Sequence, residues 1–501
     1  MNMKNFFINP LEYISIILIK KIVFCFFAIT FTIRVINLFL MQKFISTYVY
    51  EDWLINYSQG FVRRGFSGSI LLFLNNNYSL DTFQVFRWFS YLIFLVFCGI
   101  YLLKVKQSKQ VLDLKSLMVV LFLPSLIFFP LHDRNVIGRK ELLFFFGLFI
   151  NIFFVEKTVK ALNINQNFEY EQDKINTINK YCYNLFISYN FFSVPTALIH
   201  ESILFLSLPL NIVITSTLLG LKLSIKQVSL RTLTIYSPTI FAAVLCFIFQ
   251  GNESSPVEIC QSWQENINAY KSINCDPSHL PLVLRYIGLP VRYFIMEVWR
   301  NNIYRHNGLV FLKWISAFLL CTIILMRTSS IILSNSLEKL KRKNQWQYQD
   351  EKSLESFSKI NLNNVISNFS FKYAFIPFMF SFVLYIIAQD WGRWFFVTST
   401  SYTICLLSPN LILLEIVSCQ NNSDRRYKLR PRLLLPIYSI YSRISNMLCG
   451  WSLSIYSSIL YFLAFVFTLF VLKIPHFGLD WDYSSFTPWI ISLLMKFFSM
   501  V

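Results

Sequence analysis

Ile22-Val23-Phe24-Cys25-Phe26-Phe27-Ala28-Ile29-Thr30-Phe31-Thr32-Ile33-Arg34-Val35-Ile36-Asn37-Leu38-Phe39-Leu40-Met41 is followed by Tyr50-Glu51-Asp52-Trp53 and then by Gln59-Gly60-Phe61-Val62-Arg63-Arg64-Gly65. The first run has the length and apolarity of a membrane-crossing helix. Lys4, Lys20 and Lys21 come before or at its start, which predicts a cytoplasmic N-terminus. The run has no small-residue cleavage site and reads as a retained span, not a removed signal peptide. Two acids and two arginines therefore stand just beyond the first span, on the external side.

The rest of the chain repeats that first run. Of 501 residues, 55% are hydrophobic, 18% aromatic and only 14% charged, so the fold class is an all-α polytopic membrane protein. Spans are predicted at about 22–41, 83–103, 116–131, 142–155, 185–199, 202–221, 233–249, 308–326, 371–388, 395–417 and 452–472, about eleven in all. Pro195 with His200-Glu201 marks a reversal between the fifth and sixth. Residues 1–501 read as a single transmembrane domain, with a first external loop at 42–82, a later polar external loop at 251–306 and a cytoplasmic loop at 327–370.

This topology sorts the charges. The net charge of +19 sits in short loops on the predicted cytoplasmic side: Lys104 to Lys115, Lys157 to Lys180, Lys222 to Arg231, Lys339 to Lys343 and Arg425 to Arg432. Orientation accounts for those cations, and no nucleic-acid partner is expected. Eight of the ten cysteines fall singly in or near apolar runs. Cys260 and Cys275 share the external loop and are expected to form a disulfide. A composition rich in Asn, Ile, Lys and Phe suggests a bacterial inner membrane, in which case the external side is periplasmic.

The remaining polar motifs fall on that external side: Glu51, Asp52, Arg63 and Arg64; His132, Asp133, Arg134, Arg139, Lys140 and Glu141; His200 and Glu201; and Gln389-Asp390-Trp391-Gly392-Arg393-Trp394. Polar groups at membrane depth persist where they pair or line a wet cavity. Each motif also has a plainer explanation. Asp390-Trp391 can anchor at the interface, Arg63-Arg64 can hold lipid phosphates without specificity, His200-Glu201 can be a polar hinge, and Arg139-Lys140-Glu141 can be a self-neutralising helix start.

A short cytoplasmic N-terminus, one span, an external loop with an acidic pair near its start and a further acid in the next external loop resembles the multi-span GT-C glycosyltransferases, over about residues 22–155. The short apolar stretch 66–74 is similar to the interfacial helix of their first loop. The resemblance implies a sugar donor carried on a polyprenyl phosphate, a glycan or lipid acceptor, and a first-loop acid acting as base or metal ligand. Glu51 and Asp52 match the first-loop acids and Asp133 the second-loop acid.

The chemistry of the residues fits. A carboxylate can take the acceptor hydroxyl's proton, and Asp52 is the candidate base, with Glu51 and Asp133 as further catalytic acids. Guanidinium groups grip phosphate oxygens two at a time, which makes Arg63, Arg64, Arg139 and Arg393 candidate donor-phosphate ligands. A possible divalent metal ion would draw on Glu51, Asp133, His200 and Glu201. Two other readings stand beside transfer. One is an O-antigen-type polymerase using Arg285, Arg292, Arg300 and Arg305 of the 251–306 loop; the other is a transporter of lipid-linked sugars. The chain has no Gly-x-Ser-x-Gly elbow, P-loop, His-Glu-x-x-His or Cys-x-x-Cys.

Overall fold

The computed structural model describes residues 10–40, 47–58, 60–132, 137–162, 171–304, 308–347 and 362–424. Every regular element among them is helical. They run α1 (Pro10–Leu40), α2 (Thr47–Leu54), α3 (Gly65–Tyr78), α4 (Thr82–Gln107), α5 (Leu114–Phe122), α6 (Phe129–His132), a 3-10 turn at Lys140–Leu143, α7 (Phe144–Ala161), α8 (Glu171–Ile199), α9 (Ile203–Leu206), α10 (Leu208–Leu219), α11 (Ile225–Ile248), α12 (Ser255–Asn266), α13 (Val291–Val298) and α14 (Leu309–Gln347). Then come α15 (Leu362–Ser370), a π-helical turn at Phe371–Phe375, α16 (Ile376–Ile387), α17 (Trp391–Leu406) and α18 (Pro409–Asp424).

Local sequence sets several of the ends. Asp81 caps α4, its carboxylate accepting the Phe83 amide at 2.8 Å, while Lys104 and Lys106 in the last turn complement the helix dipole. Asp113 caps α5 through the Ser116 amide at 2.8 Å. Ser224 and Gln227 form a capping box at the start of α11. Packing does the rest: α8 lies along both α7 and α11, and aromatic rings fill the centre, with Phe97 against Phe145 at 4.6 Å between ring centres.

Among the described residues, five helical stretches are long and apolar enough to cross a membrane: Thr82–Gln107, Lys140–Ala161, Ile225–Ile248, Trp314–Lys339 and Val365–Ile387. A sixth is possible if the pair Trp391–Leu406 and Pro409–Ser418, bent by 78°, counts as one span. That differs from the eleven expected in identifiable places. The run predicted at 22–41 lies largely within α1 and is not among these five. The run predicted at 116–131 is α5, a turn and the four-residue α6, because Pro124 has no amide hydrogen to continue the ladder. The run at 202–221 is split into α9 and α10 at Ser207. The run at 395–417 turns sharply before Pro409. The run at 185–199 is the second half of a longer helix that continues through Pro195 and ends at Ile199, with a turn at Glu201 and Ser202 before α9. The predicted span at 452–472 and the basic cluster Arg425 to Arg432 lie outside the described residues.

The described residues of the cytoplasmic loop predicted at 327–370 are helical, since α14 continues to Gln347 and α15 begins at Leu362. Arg327 ended the predicted span too early. The hydroxyls that follow bond back to the preceding turn, Thr328 to the Ile324 carbonyl at 2.8 Å and Ser336 to that of Ile332 at 2.7 Å, and so need no solvent.

Two short helices of the first loop complete the frame. Trp53 of α2 donates its indole N–H to the Gly138 carbonyl at 2.6 Å, and Tyr50 hydrogen-bonds Thr82 at the start of α4. The predicted interfacial stretch is α3, with Ile70 and Phe73 turned outward. It sits hard against the end of α2, because a Cβ at Gly68 would collide with the carbonyl oxygens of Leu54 and Ile55, and one at Gly65 with the Tyr57 ring. The glycines of this segment therefore permit the close approach that brings Arg64 beside α2.

Candidate functional site

Five helix ends and the first-loop helices meet at one end of the bundle. The start of α4, the 3-10 turn before α7, the end of α8, the end of α11 and the start of α17 all reach it, the end of α11 through the Arg63 amide on the Phe249 carbonyl at 2.9 Å. At the far ends of α4 and α7, Lys104 and Glu156 form an ion pair at 2.7 Å.

The meeting point is a buried chain of ion pairs. Arg64 takes Glu201 in a fork, Nη2 to Oε1 at 2.7 Å and Nε to Oε2 at 3.0 Å, while its Nη1 stands 3.5 Å from Asp52 Oδ1. Lys140, fully buried, donates to the Asp52 backbone carbonyl at 2.6 Å and lies 3.2 Å from Asp52 Oδ2. His200 Nε2 is 3.3 Å from Glu141 Oε1, and the same oxygen accepts from Arg393 Nη1 at 2.6 Å. Arg393 also pairs with Asp390 one turn back. Removing this many charges from water is costly, and such clusters seldom earn their place by stability alone.

Arg64 carries a second sign of constraint. It is one of two non-glycine residues with positive φ among those described, at φ 66°. A side chain in the left-handed region costs of order 1–3 kcal/mol and persists where the surroundings over-determine it. Here the fork to Glu201 and the glycine-tight entry to α3 do so.

Electrostatics fix the charge states of the loop groups. Burial opposes ionisation of Asp52, yet Lys140 and Arg64 hold its carboxyl below the usual carboxylate range. Glu201 is likewise buried, and Arg64 keeps it well below that range. Burial and the neighbouring Arg64 push the His200 imidazole down, so it is neutral at pH 7.

The structure divides the residues that sequence reasoning grouped. Asp52, Arg64, Arg393, His200 and Glu201 come together. Glu51 does not: one helical step from Asp52, it faces the Tyr270 hydroxyl at 3.4 Å, and burial raises its pKa. Arg139 packs its guanidinium 5.0 Å over the Tyr48 ring. Arg63 donates to the Tyr286 carbonyl at 2.7 Å and lies 5.7 Å over the Phe294 ring, with no carboxylate within ion-pair distance among the described residues. Asp133 lies outside the described residues. Among those described, no three His, Cys, Asp or Glu side chains converge in a way that could hold a metal ion.

Cys260 and Cys275 are disulfide-bonded, with 5.6 Å between their Cα atoms. The loop they close braces the first-loop helices: Trp263 donates to the Leu54 carbonyl at 2.9 Å, and Asn56 donates to Ser262 Oγ at 2.9 Å. Lys140, Glu141 and Asp390 belong to the cluster although sequence reasoning gave them no chemical role. The available signal was three consecutive charges, Arg139-Lys140-Glu141, at the mouth of an apolar run.

The family described as uncharacterised membrane protein Rv1490 matches residues 22–146, about a quarter of the chain. No curated protein and no solved structure matches it. The matched segment runs from α1 to the start of α7 and so contains Asp52, Arg64, Lys140 and Glu141. With the long apolar helices, the match identifies a multi-pass integral membrane protein.

Proposed function

We propose that this protein is a membrane glycosyltransferase that takes a sugar from a polyprenyl phosphate at the external face of a bacterial inner membrane and serves in the assembly of a cell-surface glycan. The observation that supports this reading best is Asp52, an ionised carboxylate on a first-loop helix, 5% exposed and held between Lys140 and Arg64 where the helix ends converge.

In the proposed reaction the acceptor hydroxyl oxygen attacks the anomeric carbon. The bond from that carbon to the phosphate oxygen breaks, and its electron pair leaves with the polyprenyl phosphate. The hydroxyl proton passes to Asp52 as the new bond forms, when the hydroxyl is most acidic. Lys140 and Arg64 keep the carboxylate ionised and oriented beforehand. Arg63, with no carboxylate partner among the described residues, is the cation best placed to receive the lipid phosphate. A fixed array of charges in a water-poor site needs little reorganisation as charge moves.

The test is reconstitution. Purified protein in liposomes should bind undecaprenyl phosphate and release it from a sugar-charged form when an acceptor is present. Movement of the charged lipid between leaflets without cleavage of the sugar would replace transfer with transport.

A further inference from the structure

Three polar atoms at the Glu141 end of the cluster are buried and have no hydrogen-bond partner among the described residues: Glu141 Oε2, Arg393 Nε and the Trp394 indole nitrogen. Several atoms beside them are hydrogen-bonded or ion-paired. Glu141 Oε1 takes Arg393 and faces His200, and His200 Nδ1 meets Ser202 Oγ at 3.0 Å. The side chains are close together. The Trp394 ring centre is 6.4 Å from that of His200, and the Arg393 guanidinium is 5.1 Å from the Trp394 ring. All three residues are at most 5% exposed.

An unmade hydrogen bond on a buried group is destabilising, and more so on a charged one. Three in one place form a recognition surface with a defined chemistry: one acceptor on a carboxylate, and two donors. An anion there would meet the Glu141 carboxylate, and a cation would meet Arg393. A neutral hydroxyl both donates and accepts, so a set of hydroxyls can serve Glu141 Oε2 and the two N–H groups together. The Trp394 ring is itself packed against Arg393 and His200, so what the site offers a ligand is hydrogen bonding.

The geometry points to a sugar-hydroxyl subsite made of Glu141, Arg393 and Trp394, which reads the sugar of the lipid-linked donor and lies apart from the phosphate ligand Arg63. This assignment rests on the glycosyl-transfer reading above. It divides donor recognition in two: the charged headgroup is held from the first loop, and the neutral sugar from the mouths of α7 and α17. Such a site gains specificity because an analogue lacking the right hydroxyl leaves a buried polar group unpaired.

The experiment is a comparison of lipids on the full-length protein in nanodiscs. Binding is measured for bare undecaprenyl phosphate and for undecaprenyl phosphate carrying glucose, mannose or arabinose, with thermal unfolding recorded on the same samples. The wild type should prefer at least one charged carrier over the bare one by about tenfold or more. Trp394→Phe removes the N–H and keeps an aromatic ring; Glu141→Gln keeps the shape and removes the charge. Each should abolish the preference while leaving affinity for the bare carrier within about twofold. Trp394→Phe decides alone if Glu141→Gln fails to fold, since that variant disturbs the Arg393 pair.

Equal weakening of bare and charged carriers in the variants would overturn the subsite, as would an undiminished preference. A wild type that binds all carriers alike also overturns it, yet leaves the lipid-phosphate reading in place. A wild type that binds none removes that reading and the subsite with it.

Discussion

Arg63 and Arg64 are adjacent in sequence and differ in what answers their charge. Arg64 is committed to Glu201 and Asp52, so Arg64→Ala would leave two buried carboxylates short of a cation, a loss of the kind that costs about 3–5 kcal/mol. Thermal unfolding of Arg64→Ala should therefore show a large drop. Arg63→Ala should lose only about 1–2 kcal/mol, from one hydrogen bond and a ring contact, but should weaken undecaprenyl-phosphate binding about tenfold or more. Arg63→Lys should rescue that binding poorly, because a point charge replaces a fork. The opposite pattern, with Arg64 governing lipid affinity and Arg63 governing stability, would reverse the assignment. The sequence showed two arginines beyond a span and could not show which one has a carboxylate 137 positions away. It likewise showed Glu51-Asp52 as a pair. A helix turns neighbouring side chains apart, so Asp52 faces the ion cluster and Glu51 faces Tyr270.

The elements that carry the cluster are short, and two devices hold them. The first is the disulfide, which closes a loop between residues 15 apart. Cys260→Ser with Cys275→Ser should cost about 3 kcal/mol and loosen α2 through Trp263. Mass spectrometry of unreduced protein should find the bridge; two free thiols in material isolated without reductant would contradict it. The second device is electrostatic and depends on pH. Asp52 and Glu201 have depressed pKa values, so they contribute stability that is present above the ordinary carboxylate pKa and lost as pH falls through their folded values. His200 adds in the same direction: below about pH 6.5 the unfolded imidazole takes a proton that the folded one resists. Melting temperature should be flat above about pH 7 and fall steadily below it. His200→Gln should flatten the upper part of that fall, and an unchanged slope in this variant would contradict the neutral buried histidine. Helix ends set by Asp81, Asp113 and the Ser224/Gln227 box were readable from local residues, whereas the extent of α14 depended on hydroxyls folded back on their own helix.

At the scale of the molecule, the multi-pass helical class follows from apolar length and was legible in the sequence. The number of spans was not, because breaks at Pro124, Ser207 and Pro409 interrupt runs that hydropathy reads as continuous. Charged side chains from four turns far apart in sequence meet at one end of the bundle; which side of a membrane that end faces is the orientation proposed from the basic loops. Thiols engineered at Ser58 and Ser254 should react with an impermeant reagent from outside, and those at Ser353 and Ser423 only from inside. Labelling of Ser58 and Ser353 from the same side would break the proposed orientation. The central claim is that Asp52 takes a proton during transfer, and its most direct test is Asp52→Asn in proteoliposomes supplied with sugar-charged undecaprenyl phosphate and an acceptor. With correct insertion verified, turnover should fall about a hundredfold or more while binding of undecaprenyl phosphate persists. Near-normal transfer by the folded variant would contradict the account.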